Sequence, residues 1–149
     1  MGAVRKAGEA DVPAVADFLV DRFHAEYADR LPPVNERRVL AQVHHYVTQG
    51  VVFLWEHDGV RGTISGVPRT YWFSDAEYID EGWFYVAPEY RGLPAIRLLR
   101  ALAGYADETG LPVWASTTMG DDVERKDRLF ARYGFVRVGG VYRRDVSDG

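Results

Sequence analysis

The sequence contains no cysteine, which excludes disulfide bonds, thiolate zinc sites and cysteine nucleophiles. It contains no run of about 18 apolar residues, the length that a membrane-spanning helix needs. Its first residues lack the basic, apolar and small-residue segments of a secretory signal. We therefore expect a soluble, cytoplasmic protein that has no membrane partner.

The apolar content of the sequence is high enough for one folded core. Its 149 residues are 47% hydrophobic and 13% aromatic, and they show no linker, repeat or low-complexity tract. This length is typical of one domain, and we predict a single domain over residues 1–149. The formal net charge of -4 disfavours a nucleic-acid partner and favours a cationic one.

Apolar residues at helical spacing, together with capping residues, predict four helices. The predicted starts and ends are Asp11 for the first helix, Asn35 and Gly50 for the second, Pro94 and Gly110 for the third, and Asp121 or Asp122 and Gly134 for the fourth. Two of these helices precede the main group of strands.

Short runs of β-branched and aromatic residues predict the strands of a sheet. The dipeptide Asp58-Gly59 is a turn signal that predicts a hairpin between two of them. The predicted strands are residues 3–7, 51–56, 60–67, 77–86, 113–117, 135–138 and 141–144, with residues 71–74 as an extension of the sheet.

The most informative segment is residues 83–92, WFYVAPEYRG, in which a strand passes through Pro88 into an Arg-Gly turn and then a helix. A helix N-terminus presents unpaired backbone N–H groups, and the helix dipole adds positive potential there. Such a junction attracts an anion, for example a pyrophosphate. The alternative interpretation of Arg91-Gly92 is an ordinary turn with a solvated arginine.

Two motifs resemble the GNAT superfamily of acetyl-CoA-dependent N-acetyltransferases. Residues 83–92 are similar to the first part of the family's signature, a strand ending in Tyr-Val-x-Pro followed by x-Tyr-Arg-Gly-x-Gly-x-Gly and a helix. Residues 129–135, LFARYGF, are similar to its Leu-Tyr-x-x-x-Gly-Phe helix end. The two motifs have the expected order and separation, and the resemblance covers roughly Val4 to Arg144.

The resemblance implies a single domain of the α/β (α+β) class, with about four helices around a mixed, mostly antiparallel central sheet. It also implies acetyl-CoA as co-substrate and a primary amine that attacks the thioester directly, without a covalent enzyme intermediate. The pantetheine arm would lie along Phe84 to Val86 like an extra strand. The acetyl-CoA-binding residues that we predict are Phe84, Tyr85, Val86, Arg91, Gly92, Leu93, Ala95, Ile96 and Arg97.

The chain departs from the family pattern at the phosphate turn. In ungapped register, Pro94 and Ile96 occupy the second and third glycine positions. A turn shortened by one residue places Ala95 in the last position instead, and we prefer this alignment. Proline has no N–H to donate, but the side chains of Arg91 and Arg97 can add charge-assisted contacts. We expect phosphate binding that is weaker than usual.

Glu81 and Tyr133 are the candidate catalytic residues. Glu81 either removes a proton from the substrate ammonium, directly or through water, or is an exposed carboxylate at the start of a strand. Many family members use the tyrosine of the second motif to protonate the departing thiolate, whereas this chain has Phe130 there. Tyr133 lies about one helical turn further, so it either replaces that tyrosine or only packs.

Other chemically active side chains have simpler explanations. His44 and His45 are adjacent on a helix and point in different directions, so we predict no metal site. Trp72 or Trp83 either lines an acceptor pocket or packs on the sheet. Four acidic residues either attract a cationic acceptor or are solvated loop charges. These are Asp75, Glu77, Asp80 and Glu81.

Two functions from different classes fit the sequence. The first is an N-acetyltransferase that acts on a small-molecule or peptide amine. The second is a GNAT-fold binding or structural module with a degenerate CoA site and little or no catalysis. The altered glycine positions and Phe130 favour the module, whereas the Val-x-Pro-x-Tyr-Arg-Gly run favours the enzyme, which we predict. The sequence leaves a homodimer or a larger assembly open.

Overall fold

The computed structural model describes residues 2–27, 31–116 and 123–146. The chain forms two compact units that meet in sequence at Ala115 and Ser116. The strands are Ala3–Lys6 (β1), Val51–Glu56 (β2), Val60–Thr70 (β3), Glu77–Val86 (β4) and Val113–Trp114 (β5). The helices are Val12–Tyr27 (α1), Glu36–Gln49 (α2), Leu93–Thr109 (α3) and Val123–Arg132 (α4). The single domain over residues 1–149 stays a prediction.

The five strands form one sheet in the order β1-β2-β3-β4-β5. Strands β1 to β4 are antiparallel neighbours, and β5 pairs in parallel with β4 through Ile79 and Asp80. The predicted α/β class, the mixed and mostly antiparallel sheet and the four helices are therefore confirmed. The hairpin turn also forms as predicted, because both Asp58 and Gly59 adopt positive φ angles, of 54° and 105°.

The two faces of the sheet carry different helices. Residues of α1 and α2 share a buried cluster with Val67 of β3. On the opposite face, a Cβ atom added at Gly62 or Gly66 of β3 would lie 3.0 Å from Leu98 or Leu102 of α3. Glycine at these two positions therefore lets α3 pack closely against the strand.

A β-bulge bends β4 in its middle. Ile64 pairs with Phe84 and Gly66 pairs with Glu81, so two residues of β4 lie opposite the single residue Ser65. One of them is Trp83, whose backbone N–H donates to Ser65 Oγ at 3.1 Å. Bulges redirect a strand and are common beside active sites.

The other β4 residue opposite Ser65 is Gly82, and the bulge depends on its lack of a side chain. A Cβ atom there would lie 2.6 Å from Tyr46 Cζ and 2.7 Å from Ser65 Oγ. We expect Gly82→Ala to lower the free energy of unfolding by about 1–3 kcal/mol, the usual cost of overpacking. Denaturation in urea measures this difference.

Gly104→Ala is the matched control for that experiment. Gly104 lies inside α3, and a Cβ atom there meets nothing within 4 Å. Because alanine is the better helix former, this change should raise the free energy of unfolding by up to about 1 kcal/mol. Equal stability of the two variants would contradict the assignment of Gly82 to a crowded position.

Three sequence predictions about strands need correction in the first unit. Residues 71–74 form a turn instead of extending the sheet, because the N–H of Tyr71 donates to Ala76 O at 3.1 Å and closes the β3–β4 connection. β1 ends at Lys6, one residue before the predicted end. The strand predicted over residues 113–117 is shorter in the structure, where β5 covers Val113–Trp114. Thr117 lies outside the described residues.

The strands predicted at residues 135–138 and 141–144 are wrong. The structure describes residues 133–146 of the second unit without a strand. Val136, Val138 and Val141 are exposed, so the apolar alternation that suggested strands buries no face. The glycines at 139 and 140 weaken an extended segment further. The predicted caps Asp121 and Asp122 lie outside the described residues, whereas Gly134 has the expected positive φ angle, 86°.

No helix within the described ranges combines the length and the apolar character that crossing a membrane requires.

Candidate active site

The turn between β4 and α3 has the features of an anion site. A short 3-10 helical turn over Pro88–Tyr90 follows β4, and α3 begins at Leu93. Gly92 caps the helix with φ 115° and ψ -115°, a conformation that favours glycine. The N–H of Ile96 donates to Gly92 O at 3.2 Å. The N–H groups of Leu93 and Ala95 precede this bond, so they stand among the donors that a helix start leaves without intrahelical partners.

Arg91 lies at the start of α3 and also contacts α1. Its Nη2 atom is 3.7 Å from Glu26 Oε1, and Arg22 Nη1 is 3.8 Å from the same oxygen. The side chain of Glu26 is 13% exposed and that of Arg91 is 35% exposed. An anion that binds Arg91 therefore competes with a largely buried carboxylate.

Arg97, the second arginine predicted to bind phosphate, contacts the sheet. Its guanidinium lies over the ring of Trp55 in β2, 5.8 Å from the ring centroid. Such stacking is a cation–π contact, which stabilises one orientation of the side chain. In the structure, then, the two arginines have different neighbours.

Three residues of β4 are predicted to contact pantetheine, and all three are paired with residues of β3. Phe84 is buried opposite Ile64, and Val86 lies opposite Gly62. Tyr85 directs its ring towards α1, with ring centroids 5.7 Å from Phe23 and 6.3 Å from Tyr27. The backbone at the end of β4 is thus held by the sheet on one side, and the ring of Tyr85 is held by α1.

Burial raises the pKa of the Tyr85 phenol well above its ordinary value. Tyr27 raises it further, and the carboxylates of Glu81 and Glu26 act in the same direction because they disfavour a nearby phenolate. Tyr85 therefore keeps its proton at neutral pH and can donate a hydrogen bond, but it cannot serve as a base.

Glu81 is half-buried in β4 and lies directly before the bulge, opposite Gly66. The bulge therefore separates the candidate base from Phe84–Val86. The next residues are fixed by hydrogen bonds, because Trp83 Nε1 donates to Thr63 Oγ1 at 3.1 Å. Glu81 and Tyr85 both lie on β4, close enough for the Glu81 carboxylate to contribute to the raised pKa of the Tyr85 phenol.

Tyr133 belongs to the second unit and lies in the turn after α4, not on the helix as the sequence suggested. Its backbone N–H donates to Phe130 O at 3.0 Å. Phe130 is buried, with its ring centroid 5.0 Å from that of Phe135. Tyr133 thus follows the last residue of α4, one turn after Phe130, and its catalytic role stays a prediction.

The β2–β3 hairpin contacts the turn that follows β4, a contact that the sequence did not predict. The Tyr90 hydroxyl is 3.0 Å from His57 Nδ1, and the Arg61 guanidinium lies 5.7 Å from the Tyr90 ring centroid. The backbone N–H of Ala87 donates to Arg61 O at 2.8 Å. The only sequence signal for this contact was the Asp58-Gly59 turn, which places His57 and Arg61 at the end of the hairpin.

The predicted acidic cluster contains one neutralised member. Asp80 accepts a hydrogen bond from Arg69 Nε at 2.8 Å. Hydrogen bonds to Tyr46 and then to Asp80 raise the pKa of Arg69. Arg69 also lines an open cleft of about 400 Å³, together with His45, Gln49, Val67, Pro68 and Thr70.

The two adjacent histidines have separate neighbours. His44 Nε2 is 3.6 Å from Glu9 Oε1, whereas the His45 ring packs against Tyr46 with centroids 5.9 Å apart. Within residues 2–27, 31–116 and 123–146, no three histidine or acidic side chains come together as metal ligands.

Residues 12–135 match the model of a protein family described as Acetyltransferase (GNAT) family. The chain belongs to this GNAT family. The match includes the turn at Arg91-Gly92 and ends at Phe135. No curated protein sequence matches the chain.

Solved structures share the GNAT fold with this chain. A predicted acetyltransferase with acetyl-CoA from Clostridium acetobutylicum has a TM-score of 0.73 at 15% identity, covering 97% of this chain and 96% of that one. AAC(6')-Iy in complex with the bisubstrate analogue CoA-S-monomethyl-acetylneamine has a TM-score of 0.69 at 15% identity, covering 98% and 99%. Ribosomal-protein-alanine N-acetyltransferase from Brucella melitensis biovar Abortus 2308 has a TM-score of 0.70 at 13% identity, covering 99% of each chain.

Membership of this family identifies the protein as an acetyltransferase enzyme. The resemblance inferred from residues 83–92 and 129–135 is thereby confirmed.

Proposed function

We propose that this GNAT protein transfers the acetyl group of acetyl-CoA to a primary amine, which attacks the thioester directly. The observation that carries the proposal is the start of α3, where Arg91, the Gly92 cap and the first-turn N–H groups occur together. Such a helix start binds phosphate groups through N–H donors and the helix dipole. The backbone N–H groups of Leu93 and Ala95 fit this role, whereas that of Ile96 donates to Gly92 O at 3.2 Å, so Ile96 would contact the phosphates through a shared N–H or through its side chain.

Glu81 is the proposed base. A protonated amine cannot attack a carbonyl, so the base must first accept a proton from the ammonium, directly or through water. The half-buried position of Glu81 in β4, before the bulge, supports this role. The loss of the proton leaves the nitrogen lone pair free to form the amide bond.

Phe84–Val86 and Tyr133 have the remaining proposed roles. A backbone N–H of Phe84–Val86 polarises the thioester carbonyl, whose oxygen gains negative charge as the amine adds. When the C–S bond breaks, Tyr133 donates its hydroxyl proton to the thiolate, and the second proton that the attacking nitrogen loses restores the Tyr133 phenol, directly or through water. No covalent bond to the enzyme forms in this sequence of steps.

The acceptor that we propose is a small-molecule or peptide amine. AAC(6')-Iy binds a bisubstrate analogue that joins CoA to an acetylneamine. The Brucella protein is named as an N-acetyltransferase of ribosomal-protein alanine. Both acceptor classes therefore occur on this fold. We also retain a cytoplasmic location, a homodimer or larger assembly, and the absence of a nucleic-acid or membrane partner as predictions.

Arg91→Ala tests the phosphate assignment. We expect it to weaken acetyl-CoA binding by roughly 1–3 kcal/mol, or about 5- to 150-fold in Kd, because it removes a charge-assisted hydrogen bond. Titration calorimetry with acetyl-CoA and with free CoA measures the effect.

Two further variants make the titration specific. Arg37→Ala removes the same charge from the exposed surface of α2 and should leave the Kd unchanged. Glu26→Gln removes the carboxylate beside Arg91 and should leave acetyl-CoA binding intact or tighten it. If Arg91→Ala and Arg37→Ala bind equally well, Arg91 does not contact the phosphates.

A further inference from the structure

Five aromatic residues form a surface at the β3–β4 turn and the neighbouring β5, which we call the aromatic platform. Trp72 is 95% exposed, Phe73 is 68% exposed and Trp114 is 45% exposed. Tyr71 and Tyr78 complete the group. Large aromatic rings gain stability by burial, so several exposed rings in one place mark an interaction site.

The rings of the aromatic platform contact one another. Tyr71 lies at its centre, with ring centroids 5.4 Å from Phe73, 4.6 Å from Tyr78 and 6.4 Å from Trp114. Trp114 Nε1 donates to the Tyr71 hydroxyl at 2.9 Å. The Phe73 ring in turn lies 5.5 Å from that of Trp72. These contacts restrict the rings of Tyr71, Tyr78 and Trp114 before a partner binds, whereas Trp72 is almost fully exposed.

The charge around the aromatic platform is negative. Asp75 and Glu77 lie in or beside the turn, and the described part of the chain places no cation within ion-pair distance of either. No lysine or arginine occurs between Thr70 and Tyr90. The nearest arginine before this segment, Arg69, is paired with Asp80 at 2.8 Å. The platform therefore combines aromatic faces with unpaired negative charge.

We propose that the aromatic platform binds a cationic polypeptide segment with arginine at alternate positions. Guanidinium groups stack on aromatic faces and pair with carboxylates, so one side chain can use both features of the surface. Alternate side chains of an extended peptide are about 6.6 Å apart. Neighbouring rings of the platform are separated by 4.6 to 6.4 Å, which is close to that spacing. Two copies of this acidic surface would repel each other, which disfavours self-association.

The probe is a nine-residue peptide of alternating glycine and arginine, acetylated at its N-terminus and amidated at its C-terminus. It has no primary amine, so its binding cannot be confused with acetyl transfer, and the inference stands independently of the proposed function. The comparison peptide carries citrulline in place of arginine, which keeps the size and removes the charge. Tryptophan fluorescence and calorimetry at low salt measure the Kd.

We expect the arginine peptide to bind and the citrulline peptide to bind at least about tenfold more weakly. Trp72→Ala should weaken binding by about three- to tenfold through loss of cation–π contact. The double variant Asp75→Asn with Glu77→Gln should weaken it and reduce its salt dependence. Leu40→Ala, at an exposed apolar position of α2, should leave it unchanged. All these positions are exposed, so the variants should fold.

Three results would overturn the proposal. The first is the absence of binding by the arginine peptide, and the second is equal affinity for the citrulline peptide. The third is a concentration-dependent dimer in analytical ultracentrifugation that Trp72→Ala abolishes, because the aromatic platform would then bind a second copy of the chain.

Discussion

Glu81→Gln should lower the turnover number at neutral pH by about 10²–10⁴-fold, the usual contribution of a general base. The effect should shrink at high pH, because more of the amine is then already deprotonated. The KM for acetyl-CoA should stay close to its original value, since Glu81 lies before the bulge and not at the start of α3. A pH–rate profile of both proteins, followed as thiol release, measures the loss.

Glu108→Gln is the matched control, because Glu108 is an exposed carboxylate near the end of α3. It should not alter the profile. If the Glu81 variant also keeps the original profile, its carboxylate has only the structural role of a charged strand residue.

Tyr133→Phe should lower the turnover number by about 10²–10⁴-fold if its hydroxyl protonates the departing thiolate. The turnover number should fall while the Kd for acetyl-CoA stays nearly unchanged, because the proton is needed only when the C–S bond breaks. Single-turnover kinetics and a calorimetric Kd separate these two effects.

Tyr142→Phe is the control for Tyr133, because Tyr142 lies in the same unit and is almost fully exposed. Phe130→Tyr asks whether the family's usual position can supply the hydroxyl. Phe130 is buried against Phe135, so the added hydroxyl costs stability unless it finds a hydrogen-bond partner. If Tyr133→Phe and Tyr142→Phe are equally active, Tyr133 only packs and another group protonates the thiolate.

Local sequence signals predicted those parts of the fold that local chemistry determines. Asn35 was predicted to cap α2, and its Oδ1 accepts from the N–H of Arg38 at 3.1 Å. Gly110 was predicted to end α3, and it has a left-handed φ of 73°. In each case one of the few residue types that suit a local backbone position occupies it: Asn, Asp, Ser or Thr at a helix start, and glycine at a left-handed helix end.

The features that the sequence did not predict depend on distant parts of the chain. The β4 bulge follows from the packing of Gly82 against Tyr46 of α2, 36 positions earlier in the printed sequence. The His57–Tyr90 contact joins a hairpin to the phosphate turn. The valines at 136, 138 and 141 show the opposite case, because their alternation suggested strands although these side chains are exposed.

The sequence likewise predicted the local features of the candidate site but not its contacts with distant residues. The motif at residues 83–92 predicted a strand, an Arg-Gly turn and a helix from Pro94, and the structure has these elements in that order, with α3 beginning at Leu93 after the Gly92 cap. The motif could not show that Arg91 also contacts Glu26 of α1, or that Arg97 stacks on Trp55 of β2. If the turn binds phosphate as we propose, these two contacts compete with the phosphate for the arginine side chains.

Acetyl transfer to an amine is the central claim, and the most direct measurement follows thiol release and acetylated product together. Purified protein is incubated with acetyl-CoA and a panel of polyamines, amino acids, aminoglycosides and peptides with free N-termini. We expect at least one amine to give thiol and N-acetylated product in equal amounts, at a rate proportional to enzyme concentration. No release above background with any acceptor, together with no calorimetric binding of acetyl-CoA, would contradict it.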